Sequence, residues 1–405
     1  MFMTILSPSL SDCVINLDES HYDIQNLSRE FAENEIKPIS DKIDKDDKIP
    51  DNLISKLSEL GFFGIPYPTE YGGVGSDYLS MAIVIEELAR ASCAVSTLPV
   101  AHTLIAMPLY AFGTDEQKQK YLKPLASGEK IGAHAMTESG AGSDVAGIQT
   151  RAKLDGDDWI LNGSKTFCTN GDIADVFLVF ARTSDLEPKT RHLGLDAFIV
   201  DRDTDGFTVG NPIPKTGLRG SKSVELRLEN VCLSQNNLLK FNGENGKGFY
   251  LAMDCYDHGR IEVAAQGVGV GQAALESAAK YDTQRIAFGK PIMEFQGPQF
   301  MLAESASEIQ SARLLTYLSA SLRDQNKQFA HTACMAKMYA TEVAERVALN
   351  AIKLAGSAGV ALEYPMERYL RDIQVTKIYE GTNDIQRLTL GRQIYKEAKS
   401  ALNIE

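Results

Sequence analysis

The chain has 405 residues, with 41 Lys+Arg against 54 Asp+Glu and a formal net charge of −13. Hydrophobic residues make up 44% and charged residues 23%, which excludes a disordered chain and gives core material for roughly two or three domains. The acidic balance, without any Lys/Arg-rich run, excludes nucleic acid as the main partner, because phosphate binding needs a basic face.

The opening stretch carries Asp12, Asp18 and Glu19 before Arg29, the first Lys or Arg. That pattern excludes a secretory n-region and a basic transit peptide. No apolar run approaches the roughly 20 residues of a membrane span, so a soluble, cytoplasmic protein without membrane partners is expected. Residues up to about 130 read as helical. Asp51 is expected to cap a helix over Asn52–Leu60, where Leu53, Ile54, Leu57 and Leu60 share a face and Gly61 stops the turn. Leu79–Arg90 has helical periodicity, and Thr114-Asp115-Glu116-Gln117 fits a capping box. From about 133 to 240 the pattern becomes that of strands. Val176–Ala181 and Ala197–Val200 are short apolar runs, Val224, Leu226 and Leu228 alternate with charged residues, and Asn162-Gly163 signals a hairpin. After Gly248, segments near 248–284, 298–325, 330–356 and 383–400 suit an antiparallel bundle. Gly267, Gly269 and Gly271 in the first of these would let another helix or a ligand approach closely. The expected fold is α+β and multidomain: a helical domain (1–132), an antiparallel β-domain (133–244) and a C-terminal four-helix bundle (245–405). The six cysteines, at 13, 93, 168, 232, 255 and 334, form no CxxC pair, so neither a metal site nor a disulfide framework is expected.

Four motifs stand out, each with an ordinary alternative. Thr137-Glu138-Ser139-Gly140-Ala141-Gly142-Ser143-Asp144 could turn backbone amides toward an anion or a cofactor, or be a plain loop. It is neither a P-loop nor a GxGxxG fingerprint. Lys165–Gly171 ends in a turn, and Phe167 belongs in a core unless it lies beside the first loop. Arg285, in Arg285–Ile292, could hold a pyrophosphate or satisfy helix carbonyls. Glu380, on the Gly-containing loop within Ile378–Arg387, is a solvated carboxylate or, if buried against an apolar wall, a general base.

Taken in order, TESGAGSD, KTFCTNG, RIAFGKPI and IYEGTNDIQR resemble the acyl-CoA dehydrogenase family, as do Phe112–Lys118, Gly217–Ser221 and Asp257–Ile261. The resemblance spans nearly the whole chain from about residue 20. It implies FAD held between the β-domain and the bundle, and α,β-dehydrogenation of an acyl-CoA thioester. Along the flavin would lie His134, Ala135, Met136, Thr137, Gly142 and Ser143, backed by Phe167, Cys168 and Thr169. Arg285, Ala287, Phe295 and Gln296, with Lys353, Gly356 and Ser357, would approach the dinucleotide of a neighbouring subunit in a homotetramer. Gly381, Thr382 and Asp384 would close on the cofactor. Ser143, Asp257 and Arg260 match positions that contact the thioester carrier.

The resemblance also implies that Glu380 takes the α-proton while flavin N5 accepts the β-hydrogen as hydride. Some members place the base directly before the DxxR arginine, where this chain has Gly259. An electron-transferring flavoprotein or oxygen would then reoxidise the flavin. Within the fold, the alternative is a dehydrogenase or oxidase of acyl-carrier-protein thioesters; of another class, a flavin-free scaffold. Phe167 stands where tryptophan is commoner, and Ala287 where a hydroxyl residue is.

Overall fold

The computed structural model describes residues 14–402, so Asp12 and Cys13 lie outside the described part. Helix α1 (Glu19–Phe31) opens on a capping box, with the Asp18 carboxylate accepting from the Ser20 and His21 amides. After two irregular turns come α2 (Ser40–Asp46) and α3 (Asp51–Glu59). Here Pro50, not Asp51, occupies the N-cap position, and no side chain caps the helix. The extended backbone of Pro50 makes the turn, so Asp51 becomes the first helical residue. Leu53 and Leu57 carry the burial.

In α4 (Tyr78–Ala91) every residue is buried. Helix α5 (Cys93–Phe112) corrects one expectation, because it is a twenty-residue helix long and apolar enough to cross a membrane. It is instead a core helix, with Cys93–Leu109 all buried. Its polar residues conceal this in the sequence. Ser96 and Thr97 donate their hydroxyls to the Cys93 carbonyl at 2.8 and 2.9 Å, and Thr103 donates to Pro99 at 3.0 Å. A hydroxyl satisfied by its own helix packs like an apolar group. Two short helices follow, α6 (Asp115–Gln117) and α7 (Lys123–Ala126), and the Thr114/Gln117 capping box is present on α6.

The strands are β1 (Gly132–Ala135), β2 (Arg151–Asp155), β3 (Asp158–Thr169), β4 (Val176–Arg182), β5 (Leu195–Asp201), β6 (Phe207–Pro212), β7 (Ser223–Ser234) and β8 (Leu238–Leu239). They form one sheet in the order β6-β7-β3-β2-β4-β5-β8, with β1 on β4. Pairing is antiparallel except that β4 runs parallel to β1 and meets β2 in parallel at one residue pair. Asn162-Gly163 is not the hairpin turn. That turn is Gly156-Asp157, flanked by the Asp155–Asp158 pair. Gly163 instead sits at a register shift within β3, where a Cβ would come within 2.8 Å of the Thr150 backbone. Alternation assigns each side chain its face. Ala133 and Ala135 join Phe177, Val179 and Phe198 in the β core, while Met136 packs with α5 on the opposite face.

The chain then enters α8 (Gly248–Gln284), the small hairpin β9 (Ile286–Ala287) and β10 (Lys290–Pro291), α9 (Gln296–Asp324) and α10 (Ala330–Ala355). A shorter helix, α11 (Met366–Thr376), precedes the last, α12 (Asn383–Ala401). The four long helices coincide with the expected segments; α11 was not foreseen. The α8 glycines set its packing distance. A Cβ on Gly267 would lie 2.9 Å from the Ala340 backbone of α10, and one on Gly269 would overlap the Glu86 carbonyl of α4. The N-terminal helices and the bundle thus share one packed surface, and a cleft remains where both meet the sheet. Of the described cysteines all are free; Cys93, Cys168, Cys255 and Cys334 are buried and Cys232 is exposed.

Candidate active site

A cavity of about 710 Å³ opens between the sheet and the helices. From α5 it takes Thr97, Val100, Ala101 and Leu104, one helical face at i, i+3, i+4 and i+7. Glu380 lines it from the α11–α12 loop and is 9% exposed. Both Glu380 and Gly381 adopt left-handed backbone, with φ of 53° and 86°. The loop is pinned from beneath. The Gly381 carbonyl accepts from Gln386 Nε2 at 2.8 Å and from Lys337 Nζ at 3.0 Å, while the Thr382 hydroxyl caps α12 through the Ile385 amide. The amides of Glu380 and Gly381 donate to nothing among the described residues.

Glu380 Oε2 is buried without a hydrogen-bond partner. Burial pushes its carboxyl up to about 8, against the opposing pull of Lys337 and Arg260. A Cβ on Gly259 would overlap this same oxygen. The two positions therefore compete for one volume, and the glycine leaves it to Glu380. Of the two alternatives that the sequence left open at this loop, solvated or buried, the structure has the buried carboxylate.

The β-domain supplies the opposite wall. His134, Met136, Thr137, Gly142, Ser143, Phe167 and Thr169 line the cavity. Phe167 is 57% exposed at a positive φ of 54°, beside a register shift in β3. It lies next to the first loop, since the Thr166 amide donates to the Thr137 carbonyl at 2.9 Å. The shift turns Phe167 out of the core and Cys168 into it, where Sγ meets the His134 carbonyl. Ala135 likewise points into the β core, so the side chains of Ala135 and Cys168 do not reach the cleft. His134 bonds the Tyr256 hydroxyl at 3.1 Å, and burial holds its imidazole down at about 4, hence neutral. Arg260 lines the cavity and pairs with half-buried Asp257.

The remaining expected residues do not line this cleft. Arg285, Gln296, Lys353, Gly356, Ser357 and Asp384 are exposed, and Ala287 and Phe295 half-buried. Arg285 ends α8, but its guanidinium makes no hydrogen bond or ion pair among the described residues. It does not satisfy helix carbonyls.

Two lysines escaped the residue-by-residue reading. Lys165 has its ammonium fully buried, donating to the Met136 carbonyl at 3.0 Å and to Glu138 at 2.7 Å. Lys337 is likewise unexposed. The first lies inside a motif already singled out; the second sits on an ordinary helical stretch with no signal beyond a lysine at a core-facing position.

Three family descriptions cover the chain in order: the N-terminal (residues 18–129), middle (133–231) and C-terminal (246–395) domains of acyl-CoA dehydrogenase. The chain belongs to the acyl-CoA dehydrogenase family. It is 41% identical to a short-chain specific acyl-CoA dehydrogenase of Clostridium acetobutylicum, over 94% of this chain and 99% of that protein. The solved butyryl-CoA dehydrogenase of Megasphaera elsdenii superposes with a TM-score of 0.91 at 39% identity, covering 94% of this chain and 100% of that one. A chain in the structure described as the electron transferring flavoprotein of Acidaminococcus fermentans gives 0.90 at 42%, covering 94% and 98%. This acyl-CoA dehydrogenase is an FAD-dependent oxidoreductase that introduces the α,β double bond into acyl-CoA thioesters.

The cleft residues fit the cofactor. Phe167 presents an exposed apolar face. The Thr137 hydroxyl and the amides of Gly142 and Ser143 have no partner among the described residues, and no atom lies within 4 Å of a Cβ placed on Gly140 or Gly142. Unpartnered donors around an open apolar wall suit a flat heteroaromatic ring.

Proposed function

We propose that this acyl-CoA dehydrogenase acts on short-chain acyl-CoA thioesters with Glu380 as the base that removes the α-proton. The observation carrying the base assignment is the buried Glu380 carboxylate with a free Oε2 in the volume that Gly259 vacates. A carboxylate raised to about 8 accepts a proton more readily than a solvated one. The thioester carbonyl would take the free amide of Glu380, which lies on the same turn as the base. Ser143, Asp257 and Arg260 would hold the CoA chain at the mouth. Bound FAD supplies the hydride acceptor for the β-hydrogen, a capacity no side chain here has. The helices and the sheet around the cavity keep water from the nascent carbanion.

Support for a short acyl chain comes from the floor of the cavity. Gln266, fully buried behind it, donates to Ser96 at 2.9 Å and Thr97 at 3.2 Å and accepts from the Tyr379 hydroxyl. Leu104 lies beside the Glu380 volume and Thr97 at the Gln266 end, seven residues or about 10 Å apart along α5. A longer chain would have to break this network, at about 1–3 kcal/mol for each polar group left unpaired. We take an electron-transferring flavoprotein as the acceptor, by the likeness to a chain in such a structure. We also take a homotetramer as the assembly, with Arg285 and its neighbours reaching a partner's dinucleotide.

Glu380→Gln tests the base. The variant should keep FAD and bind thioester, while flavin reduction in anaerobic rapid mixing falls by roughly 10²–10⁴-fold. Near wild-type bleaching would assign the proton to another residue. A panel of CoA and carrier-protein thioesters of increasing length, read by the same bleaching, tests the substrate. Faster reduction by long chains or by carrier-linked substrates rejects the short-chain CoA reading.

A further inference from the structure

Lys337 of α10 has no solvent exposure, and its ammonium lies under the base loop. It donates to the Gly381 carbonyl at 3.0 Å and to Asn383 Oδ1 at 2.9 Å. Asn383 in turn donates to Thr341, one turn further along α10, at 3.0 Å. Helix α10 and the loop are thereby tied at two adjacent points. Ammonium has three donors, and two are spent on this tie. A non-glycine residue in left-handed backbone persists only where its surroundings hold it. For Glu380 that hold is the Gly381 carbonyl, gripped by Lys337 and Gln386.

The charges around Glu380 come from several elements. Arg260, Glu262, Tyr256 and Cys255 face it from α8, Tyr379 from its own loop and Lys337 from α10. Arg260 is neutralised by Asp257 and Glu262 is tied to Tyr78 at 2.8 Å. Lys337 has no ion pair among the described residues. Burial works against its ammonium, and Glu380 is the largest influence opposing that effect.

We propose that Lys337 is the positioning residue of the catalytic base: it anchors the Glu380–Gly381 turn and supplies the counter-charge within Coulombic reach of the Glu380 carboxylate. The inference rests on Glu380 being the base. It assigns Lys337 no contact with substrate or flavin.

Two variants separate the anchor from the charge. Lys337→Gln keeps a donor for the Gly381 carbonyl without the charge; Lys337→Met removes both. Infrared difference spectra of the FAD-bound enzyme across a pH titration give the Glu380 carboxyl band, identified by its loss in Glu380→Gln. In both Lys337 variants the midpoint of that band should rise by about one pH unit or more, since a nearby opposite charge favours the ionised carboxylate. Flavin reduction at neutral pH should fall about tenfold or more, in step with the smaller ionised fraction. Lys337→Gln should regain rate at alkaline pH. Adding Lys337→Met to Glu380→Gln should cause no further loss, as for residues acting through one group. An unmoved midpoint in both variants overturns the proposal whatever the rate does, and so does failure of both to fold with FAD. If Glu380→Gln reduces flavin normally, the base reading itself falls. If that variant is inactive while the Lys337 variants titrate like wild type, only the Lys337 assignment falls.

Discussion

Glu380 fills a space that a side chain at 259 would take, since a Cβ there would overlap its Oε2 and approach Leu104 at 3.2 Å. Gly259→Ala should therefore displace the carboxylate without touching the flavin wall. A displacement on the order of 1 Å typically costs about 10²-fold in rate. Rapid-mixing reduction of a variant with normal FAD content should show that loss; a wild-type rate would mean that Glu380 does not act from this position. The pH dependence follows from burial. A carboxyl raised to about 8 is protonated, hence inactive as a base, on the acid side. Reduction should accordingly rise with pH through a midpoint near 8, which the Lys337 charge holds below where burial alone would put it. A profile flat across neutral and alkaline pH would contradict this.

Strand β3 performs two tasks at once. Its bulge turns Phe167 to the cleft, and two residues earlier Lys165 reaches back beneath the first loop. Glu138 gathers Lys165 together with the amides of Gln149 and Thr150, at 2.7 and 2.9 Å. Burial alone would raise the Glu138 carboxyl; the Lys165 charge and these hydrogen bonds outweigh it and hold it below its ordinary value. Lys165→Met would leave that carboxylate uncompensated. Because Glu138 keeps slight exposure, the loss of stability should sit near the lower end for broken buried pairs, about 3 kcal/mol. Urea unfolding of the variant measures it, and FAD release should quicken as the Met136–Glu138 backbone loosens. A change below about 1 kcal/mol would show that the loop holds its shape without the pair.

At the scale of the molecule, the β9–β10 hairpin and the segment after α10 expose more apolar surface than a lone chain needs. Phe288 is 97% exposed, Leu362 82% and Val360 67%. Three residues before Phe288 lies Arg285, whose guanidinium is unpaired among the described residues. Apolar surface bordering an unpaired charge suits an interface that encloses an anion. Arg285→Ala should keep the fold and weaken FAD retention on dialysis by about tenfold or more, the effect of losing a charged hydrogen bond worth about 1.5–3 kcal/mol. Wild-type retention would remove Arg285 from the cofactor site. Sedimentation of the holoenzyme should give four times the 44.3 kDa chain mass. A stable, flavin-saturated monomer would reject the shared site.

The helical, β and helical plan was legible in sequence because each element's periodicity records which face is buried, as the alternation Val224–Glu229 and the four long C-terminal segments do. The ordered motifs also carried the family and its cofactor. What the one-dimensional pattern lacked was any record of close approach. Asn162-Gly163 reads as a turn until Thr150 is packed against it. The polar residues of α5 hide a core helix until their hydroxyls are seen to bond within it. Lys165 and Lys337 carry no mark of their burial until folding surrounds each with acceptors. Most of all, nothing in the spacing of residues 259 and 380 says that they share one volume. Local sequence determines which backbone an element adopts; desolvation and hydrogen-bond partners, which give Glu380 its proton affinity, exist only once distant elements have packed together.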